Sequence, residues 1–345
     1  MIVLGIESTA HTFGIGIVKD GKILSNVKKT YTTKKGGIIP LEAVKHHKKN
    51  KEKIYVKALE ESKIKEKNID VIAFSQGPGL APCLIEGMKF TKKLSLKLKK
   101  PVVPVNHCIA HLEIGKITGS KNPIMLYASG ANTQIIAYIS GKYRIFGETL
   151  DIGIGNFIDN FARYLGMGFP GGPKIEKLAS KVTPQAYPEK SFSKIFTRGK
   201  NYIELPYKVK GMDIALSGIL TNLKQKIESG DYSKSDLAYS MQETIFAMLV
   251  EVSERALAHT EKNELLLGGG VGCNKRLQEM CKIMCNERNA KFFVPSNDLL
   301  TDNGAMIAFL GEIMFNSGIK ISHNQLGKID IKPRQRTDEV NVSWK

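Results

Sequence analysis

The chain has 345 residues, 42% of them hydrophobic, and a formal net charge of +18. That is enough apolar material for a two-lobed core, and no run reaches the ~18 apolar residues of a membrane span. Lys and Arg outnumber Asp and Glu by 51 to 33, which attracts polyanions through counterion release, although a solvated Lys-rich surface gives the same balance.

In chain order, Ile2 to Ile6 is a buried-strand run, and Phe13 to Val18 alternates as its partner. Asp20-Gly21 supplies a hairpin turn and Lys22 to Tyr31 returns as a third strand. A helix from Leu41 to Ser62, a strand Val71 to Ser75, a helix Leu84 to Leu98 and a strand Val102 to Val105 follow. After Asn122-Pro123 the pattern restarts, with strands at Ile124 to Ala128, Asn132 to Ile139 and Lys142 to Thr149. Helices are predicted over Phe157 to Leu165, Asp236 to Thr260, Lys275 to Asn286 and Asn303 to Phe315, with strands at Glu264 to Leu267 and Lys291 to Val294.

Two units thus open with a three-strand meander and continue in helix-strand alternation. This duplication predicts two α/β lobes around a cleft, residues 1–122 and 123–325. An insertion at about 167–235, rich in Gly, Pro, Lys and Ser from Phe169 to Pro206, is expected to cap the cleft. Residues 326–345 read as a polar, basic and partly loose tail. The cysteines, Cys83, Cys108, Cys273, Cys281 and Cys285, are odd in number and scattered. They imply no disulfide framework and an intracellular, cytoplasmic chain. Cys281 and Cys285 read as core thiols on one helix face. The short apolar start Met1 to Gly5 reads as a first strand, not a signal peptide.

Five features carry chemistry. Glu7-Ser8-Thr9, at a strand-turn-strand corner, is a candidate phosphate-facing turn, though an ordinary turn reads the same. His107 and His111 stand one helical turn apart, so both imidazoles reach one ion. The pair is not H-E-x-x-H and lacks a zinc peptidase's general base. Tyr127-Ala128-Ser129-Gly130-Ala131 forms a second corner that mirrors the first. Gly268-Gly269-Gly270-Val271-Gly272-Cys273-Asn274 joins a strand to a helix, where glycines let a ligand approach the backbone. Asp302 opens the last helix, either as its N-cap or as the carboxylate completing a metal site.

These features, in this order, resemble the TsaD/KEOPS family of tRNA threonylcarbamoyladenosine transferases in its archaeal and eukaryotic form. Supporting stretches are Ile39-Pro40 with His46-His47, Gln76-Gly77-Pro78-Gly79-Leu80, Gly147-Glu148-Thr149-Leu150-Asp151, Leu205-Pro206-Tyr207 with Lys210-Gly211-Met212-Asp213, and Gln242-Glu243-Thr244. The resemblance runs from Ile2 to about Ala308. It implies a two-lobed actin-like ATPase (ASKHA) fold with a metal in the cleft, iron first and zinc second. His107, His111, Tyr127 and Asp302 match the ligands. Tyr127, Ala128, Ser129, Gly130 and Ala131 match the strip along a nucleotide phosphate. Asp159, Gly172 and Glu176 match the ribose and adenine side, and Asn274 the polar residue of the glycine turn. The chain departs from bacterial members at Ala10-His11-Thr12, where they carry acids, and at Ser129-Gly130-Ala131-Asn132, where they have a second Gly and a His.

The implied reaction moves threonylcarbamoyl from its adenylate to the N6 amine of adenosine 37, in tRNAs reading codons that begin with adenine, and releases AMP. An adenine nucleotide is therefore expected in the cleft. The implied partners are tRNA, a small kinase/ATPase, a small dimerising subunit and a regulatory subunit. No kinase sequence follows Lys345, so the kinase is expected as a separate protein. The rival readings are an ASKHA small-molecule kinase or ATPase, a metallopeptidase, and a non-enzymatic subunit that binds nucleic acid.

Overall fold

The computed structural model describes residues 1–182 and 202–345. Part of the expected insertion, residues 183–201, lies outside the described residues. The first lobe opens with β1 (Ile2–Glu7), β2 (Thr12–Lys19) and β3 (Lys22–Thr30), then α1 (Pro40–Ser62), β4 (Val71–Gly77), α2 (Ala81–Leu98) and β5 (Val102–Asn106). Its sheet has the order β3-β2-β1-β4-β5. The second lobe repeats this with β6 (Ile124–Ala128), β7 (Thr133–Ile139), β8 (Lys142–Glu148), β11 (Glu264–Gly268) and β12 (Lys291–Phe293). Its order, β12-β11-β6-β7-β8, is the same arrangement read from the other edge. In both meanders the turn residues carry positive φ, 50° and 74° at Asp20-Gly21 and 52° and 77° at Ser140-Gly141. That pair of left-handed residues fits the right-handed twist of a two-residue hairpin.

Residues 1–122 supply the strands of the first sheet and 123–325 those of the second, but two helices cross over. The helix α3 (His107–Gly115) follows β5, yet it packs with Met125, Tyr127, Ile136 and Leu266 of the second sheet. The helix α10 (Gly304–Asn316) follows the second sheet and lies on the first. A Cβ on Gly5 would stand 2.2 Å from the Ala308 nitrogen, and one on Gly16 2.2 Å from that of Ala305. Only glycine permits so close an approach of helix to strand. A division at 122/123 therefore separates strands but not helices: each sheet is closed by a helix from the other half. It also explains why β2 is buried from Thr12 to Val18 instead of alternating, since α1 and α10 cover its two faces.

The interior of the expected insertion is more regular than its composition suggests. It contains α5 (Gly172–Ala179), a small hairpin of β9 (Val209–Lys210) and β10 (Asp213–Ile214), and α6 (Ser217–Ser229). The helices α5 and α6 pack on α7 (Lys234–Thr260) and α4 (Ile154–Tyr164) respectively. The start of α4 precedes the predicted Phe157. Its first amide, Ile154 N–H, is bonded to Thr133 Oγ1 at 2.8 Å, a cap distant in sequence and invisible to local pattern. The remaining helices are α8 (Lys275–Glu287) and the single turn α9 (Asn297–Leu300).

The tail is not loose. Lys332 N–H bonds to the Gln76 carbonyl at 2.8 Å and Gly79 N–H to that of Pro333 at 3.1 Å. Val340, Val342 and Trp344 pack against the core between the sheets. The Lys345 ammonium pairs with the buried Glu113 at 2.8 Å and lies 4.1 Å and 4.5 Å from the ring centres of Tyr138 and Tyr143. The expectation of looseness fails because composition registers the polar residues, whereas the apolar ones at alternate positions do the packing.

Candidate metal and nucleotide site

The crossing helices bring their N-termini together. Asn106 ends β5 and caps α3, its Oδ1 accepting from Ile109 N–H at 3.1 Å. His107 and His111 follow one turn apart, with ring centroids 4.8 Å from each other. At α10 the cap is Asn303, whose Oδ1 accepts from Met306 N–H at 2.9 Å. Asp302 is thereby released from capping. Its Oδ1 stands 3.4 Å from His107 Nε2 and 3.5 Å from His111 Nε2. Tyr127, at the end of β6, is wholly buried, and its ring centre is 5.2 Å from that of His111.

The three groups of His107, His111 and Asp302 each offer an atom within 4.8 Å of the others. The 3.4–3.5 Å separations exceed a good N–H···O bond, and the buried His111 Nε2 has no hydrogen-bond partner. Ligands about 2.1 Å from one tetrahedral ion stand roughly 3.4 Å apart. The donor set therefore fits a divalent cation, with two imidazoles and one carboxylate converging.

Glu7 orients this cluster. Its Oε1 accepts from the Thr9 amide at 2.6 Å and the Thr9 hydroxyl at 2.5 Å, and its Oε2 lies 2.9 Å from His107 Nδ1. Burial opposes charge on His107, but the flanking carboxylates of Glu7 and Asp302 hold its pKa well above the ordinary value. Burial lowers that of His111. Burial also opposes ionisation of Asp302, yet the two imidazoles facing it keep its carboxyl well below the usual range. The Tyr127 phenol is pushed well up by burial. A cation would reverse that preference by stabilising phenolate.

Of the other candidate residues, the two strand corners reach this centre, and Asp159, Gly172, Glu176 and Asn274 gather around α5. Both strand corners converge on the first turns of α3: Thr9 Oγ1 is 3.4 Å from His107 Nδ1, and Tyr127 packs on His111. The first corner is turned inward, with Glu7, Ser8 and Thr9 buried. The second is packed from below, because a Cβ on Gly153 would meet the Ala131 carbonyl oxygen at 2.4 Å and one on Gly155 the Gly130 Cα at 2.7 Å. Ala128 is buried in β6, and a Cβ on Gly130 would make only an ordinary contact, 3.7 Å from Asn156 Oδ1. Gly269, at φ 86°, lies so close to the Ala128 carbonyl (2.4 Å to a built Cβ) that no side chain fits. Asp159 Oδ1 accepts from Gly171 N–H at 2.7 Å, just before α5, and burial raises its carboxyl pKa. Gly172 has open space beside it. Glu176 Oε1 accepts from Lys275 N–H at 2.8 Å. Asn274 caps α8 through Oδ1, and its amide donates to Gln242 Oε1 at 2.7 Å. The helix α5 thus links Asp159, Gly172, Glu176 and the Asn274 turn to one another.

Sequence reasoning placed Glu7 in a phosphate-facing corner and missed two further residues, His11 and Lys28. Glu7 orients His107, and its signal was an acid closing an otherwise apolar strand. His11 Nδ1 is 4.0 Å from Asp302 Oδ2. Lys28 Nζ donates to the Asp298 carbonyl at 2.7 Å and to Thr301 Oγ1 at 2.6 Å. No local pattern marks either of the last two.

The family model described as TsaD, tRNA N6-adenosine threonylcarbamoyltransferase, matches residues 22–309. The chain belongs to the TsaD family. The tRNA N6-adenosine threonylcarbamoyltransferase of Thermococcus sibiricus is 55% identical over the full length of both chains, and that of Archaeoglobus fulgidus 46%. A probable bifunctional tRNA threonylcarbamoyladenosine biosynthesis protein of Methanocaldococcus jannaschii is 49% identical, and the match covers all of this chain and 60% of that protein. Among solved structures, full-length HypF matches 91% of this chain and 55% of its own, with TM-score 0.55 and 13% identity. The Acidaminococcus fermentans (R)-2-hydroxyglutaryl-CoA dehydratase component A matches 95% and 100%, with TM-score 0.51 and 12% identity. At such identities the likeness speaks for fold, and the fold is the two-lobed ASKHA type. This TsaD-family member is a transferase of tRNA threonylcarbamoyladenosine biosynthesis. No described helix is long and apolar enough to cross a membrane, and all five cysteines are free thiols.

Proposed function

We propose that the protein transfers the threonylcarbamoyl group of threonylcarbamoyl-AMP to the N6 amine of adenosine 37 in tRNAs reading codons that begin with adenine, releasing AMP. The observation that carries the reading is the convergence of His107, His111 and Asp302 at two helix N-termini, in a chain of the TsaD family. His107, His111, Asp302 and Tyr127 would hold a divalent metal, iron before zinc. Such an ion supplies Lewis-acid stabilisation of developing negative charge. Imidazole, carboxylate and phenol donors suit either metal.

The chain's own residues do the rest. At the Tyr127–Ala131 corner the Gly130 and Ala131 amides face the adenylate phosphate, since the Ser129 amide is held by the Asn132 carbonyl at 3.0 Å. Asp159, Gly172 and Glu176 line its ribose and adenine side, with the Asn274 turn closing over it. The Glu7-Ser8-Thr9 corner serves through Glu7, which fixes the His107 ring. The mixed anhydride is already activated, so no covalent nucleophile is needed. Consistent with that, Cys108 is buried and burial pushes its thiol up. Closure of the lobes excludes water, which competes with the tRNA amine for the carbonyl.

The protein acts in the cytoplasm within a KEOPS-type assembly, beside a small kinase/ATPase, a small dimerising subunit and a regulator. The bifunctional naming of methanogen relatives supports a coupled second activity. The test is nucleoside analysis of tRNA incubated with the protein, threonine, bicarbonate, ATP and an adenylate-forming enzyme, with and without those partners. Threonylcarbamoyladenosine in the tRNA is the expected product. Phosphoryl transfer to a small molecule with unmodified tRNA would instead favour an ASKHA kinase.

A further inference from the structure

Between Gly21 and Lys51 the chain carries nine lysines and one acid, Glu42. Glu42 is neutralised by Lys45 at 2.7 Å, and Lys51 is paired with Glu86 at 2.5 Å. Lys29, Lys34, Lys35, Lys48 and Lys49 are exposed, and none has an ion-pair partner among the described residues. Five unpaired ammonium groups on the end of one strand, the loop after it and the next helix repel one another. An anion set opposite them relieves that repulsion.

This face borders the cleft. Tyr31 N–H bonds to the His11 carbonyl at 2.8 Å, and His11 faces Asp302. The next residues reach the other lobe: Thr33 N–H bonds to the Phe169 carbonyl at 3.1 Å, and Phe169 N–H to Thr33 Oγ1 at 3.2 Å. Rings line the step between lysines and cleft. His11 stands edge-on to Phe169 at 5.0 Å, and Tyr31 to His46 at 6.1 Å. Lysines beside stackable rings, leading to a buried cation site, match a single-stranded polynucleotide whose backbone stays outside while one base turns in.

We infer that the face formed by Lys29, Tyr31, Lys34, Lys35, Lys48 and Lys49 is where an RNA loop docks, its phosphates on the lysines and its target base passing Tyr31 and His11 toward Asp302. The inference rests on the tRNA reading above and deepens it by naming the docking face.

The test uses the full chain and an anticodon stem-loop RNA, with binding followed by fluorescence anisotropy over a salt series. A triple variant, Lys29→Ala, Lys34→Ala and Lys35→Ala, is compared with a control of equal charge loss, Lys142→Ala, Lys282→Ala and Lys291→Ala. The control residues are exposed. Lys142 and Lys291 begin strands at the end of the second sheet away from the cleft. Near 0.15 M salt the docking-face triple should lose about tenfold or more in affinity. Its log–log salt slope should become shallower by about two, as expected when phosphate contacts are removed. The control should stay within about twofold, the scatter expected where no phosphate contact is lost. Thermal unfolding and adenine-nucleotide binding should match wild type in both triples. Equal losses in the two triples, or no loss in the first, would overturn the inference. Selective loss by the first triple, together with a wild type that yields no modified nucleoside, would retain the docking face and reject the proposed reaction.

Discussion

Oε2 of Glu7 lies 2.9 Å from Nδ1 of His107, so the other ring nitrogen of that histidine is left facing Asp302. Carboxylate, imidazole and an ion in series is the arrangement by which proteins fix a ligand's tautomer and raise its basicity. The wholly buried Glu7 is thus best understood through His107 and not through a phosphate.

Glu7→Gln should therefore weaken metal retention by about 10- to 100-fold. The fold should be little changed, because the amide keeps the volume and can still meet Thr9. Metal content after dialysis against a graded chelator checks this, and undiminished retention would remove Glu7 from the site.

Removing the ligands separates chemistry from binding. His107→Ala combined with His111→Ala should abolish turnover while tRNA binding persists. The double change also strips the imidazoles from Asp302 and from Glu7, which keeps only its Thr9 donors, at a cost of about 3–5 kcal/mol, so Asp302→Asn is the gentler companion. It should lose bound metal and activity and keep a near-native melting temperature. A protein that serves only as a scaffold would retain its function in both.

The seat of α10 on the first sheet makes a prediction about packing. A methyl group on Gly16 would lie 2.2 Å from the Ala305 nitrogen. Gly16→Ala should destabilise the chain by about 3 kcal/mol, and it should lower metal affinity because Asp302 and Asn303 move with the helix start. Gly141→Ala, with nothing nearby to clash but a φ of 77°, should cost only about 1 kcal/mol. Urea unfolding of the two variants gives the comparison.

Stability should respond to pH through His47. Burial first, and then His46, lower its pKa from 6.5 to about 4. The unfolded chain binds this proton more readily than the folded one, so stability is fully present above pH 6.5 and is lost as pH falls toward 4. The loss amounts to at most about 3 kcal/mol. His47→Gln should flatten the stability profile across that window relative to wild type. Parallel profiles for the two proteins would refute the assignment.

Local chemistry alone determined much of this molecule. Asp20-Gly21 and Ser140-Gly141 fixed two hairpins because only turn-forming residues tolerate paired positive φ, and the repeated pattern around them set two lobes. His107 and His111 share a helix face because 3.6 residues make a turn. The tertiary structure decided what lies beyond the reach of such periods. Asp302 became free to face the histidines only because Asn303 took the cap, and Glu7 reached His107 across 100 positions of chain. The tail that composition marks as loose is tied to the first lobe by backbone bonds and to the second by side chains, among them alternate apolar ones and Lys345 over Tyr138 and Tyr143. Propensity and spacing act over a few residues, whereas the meeting of two helix N-termini depends on how each half of the chain closes the other's sheet.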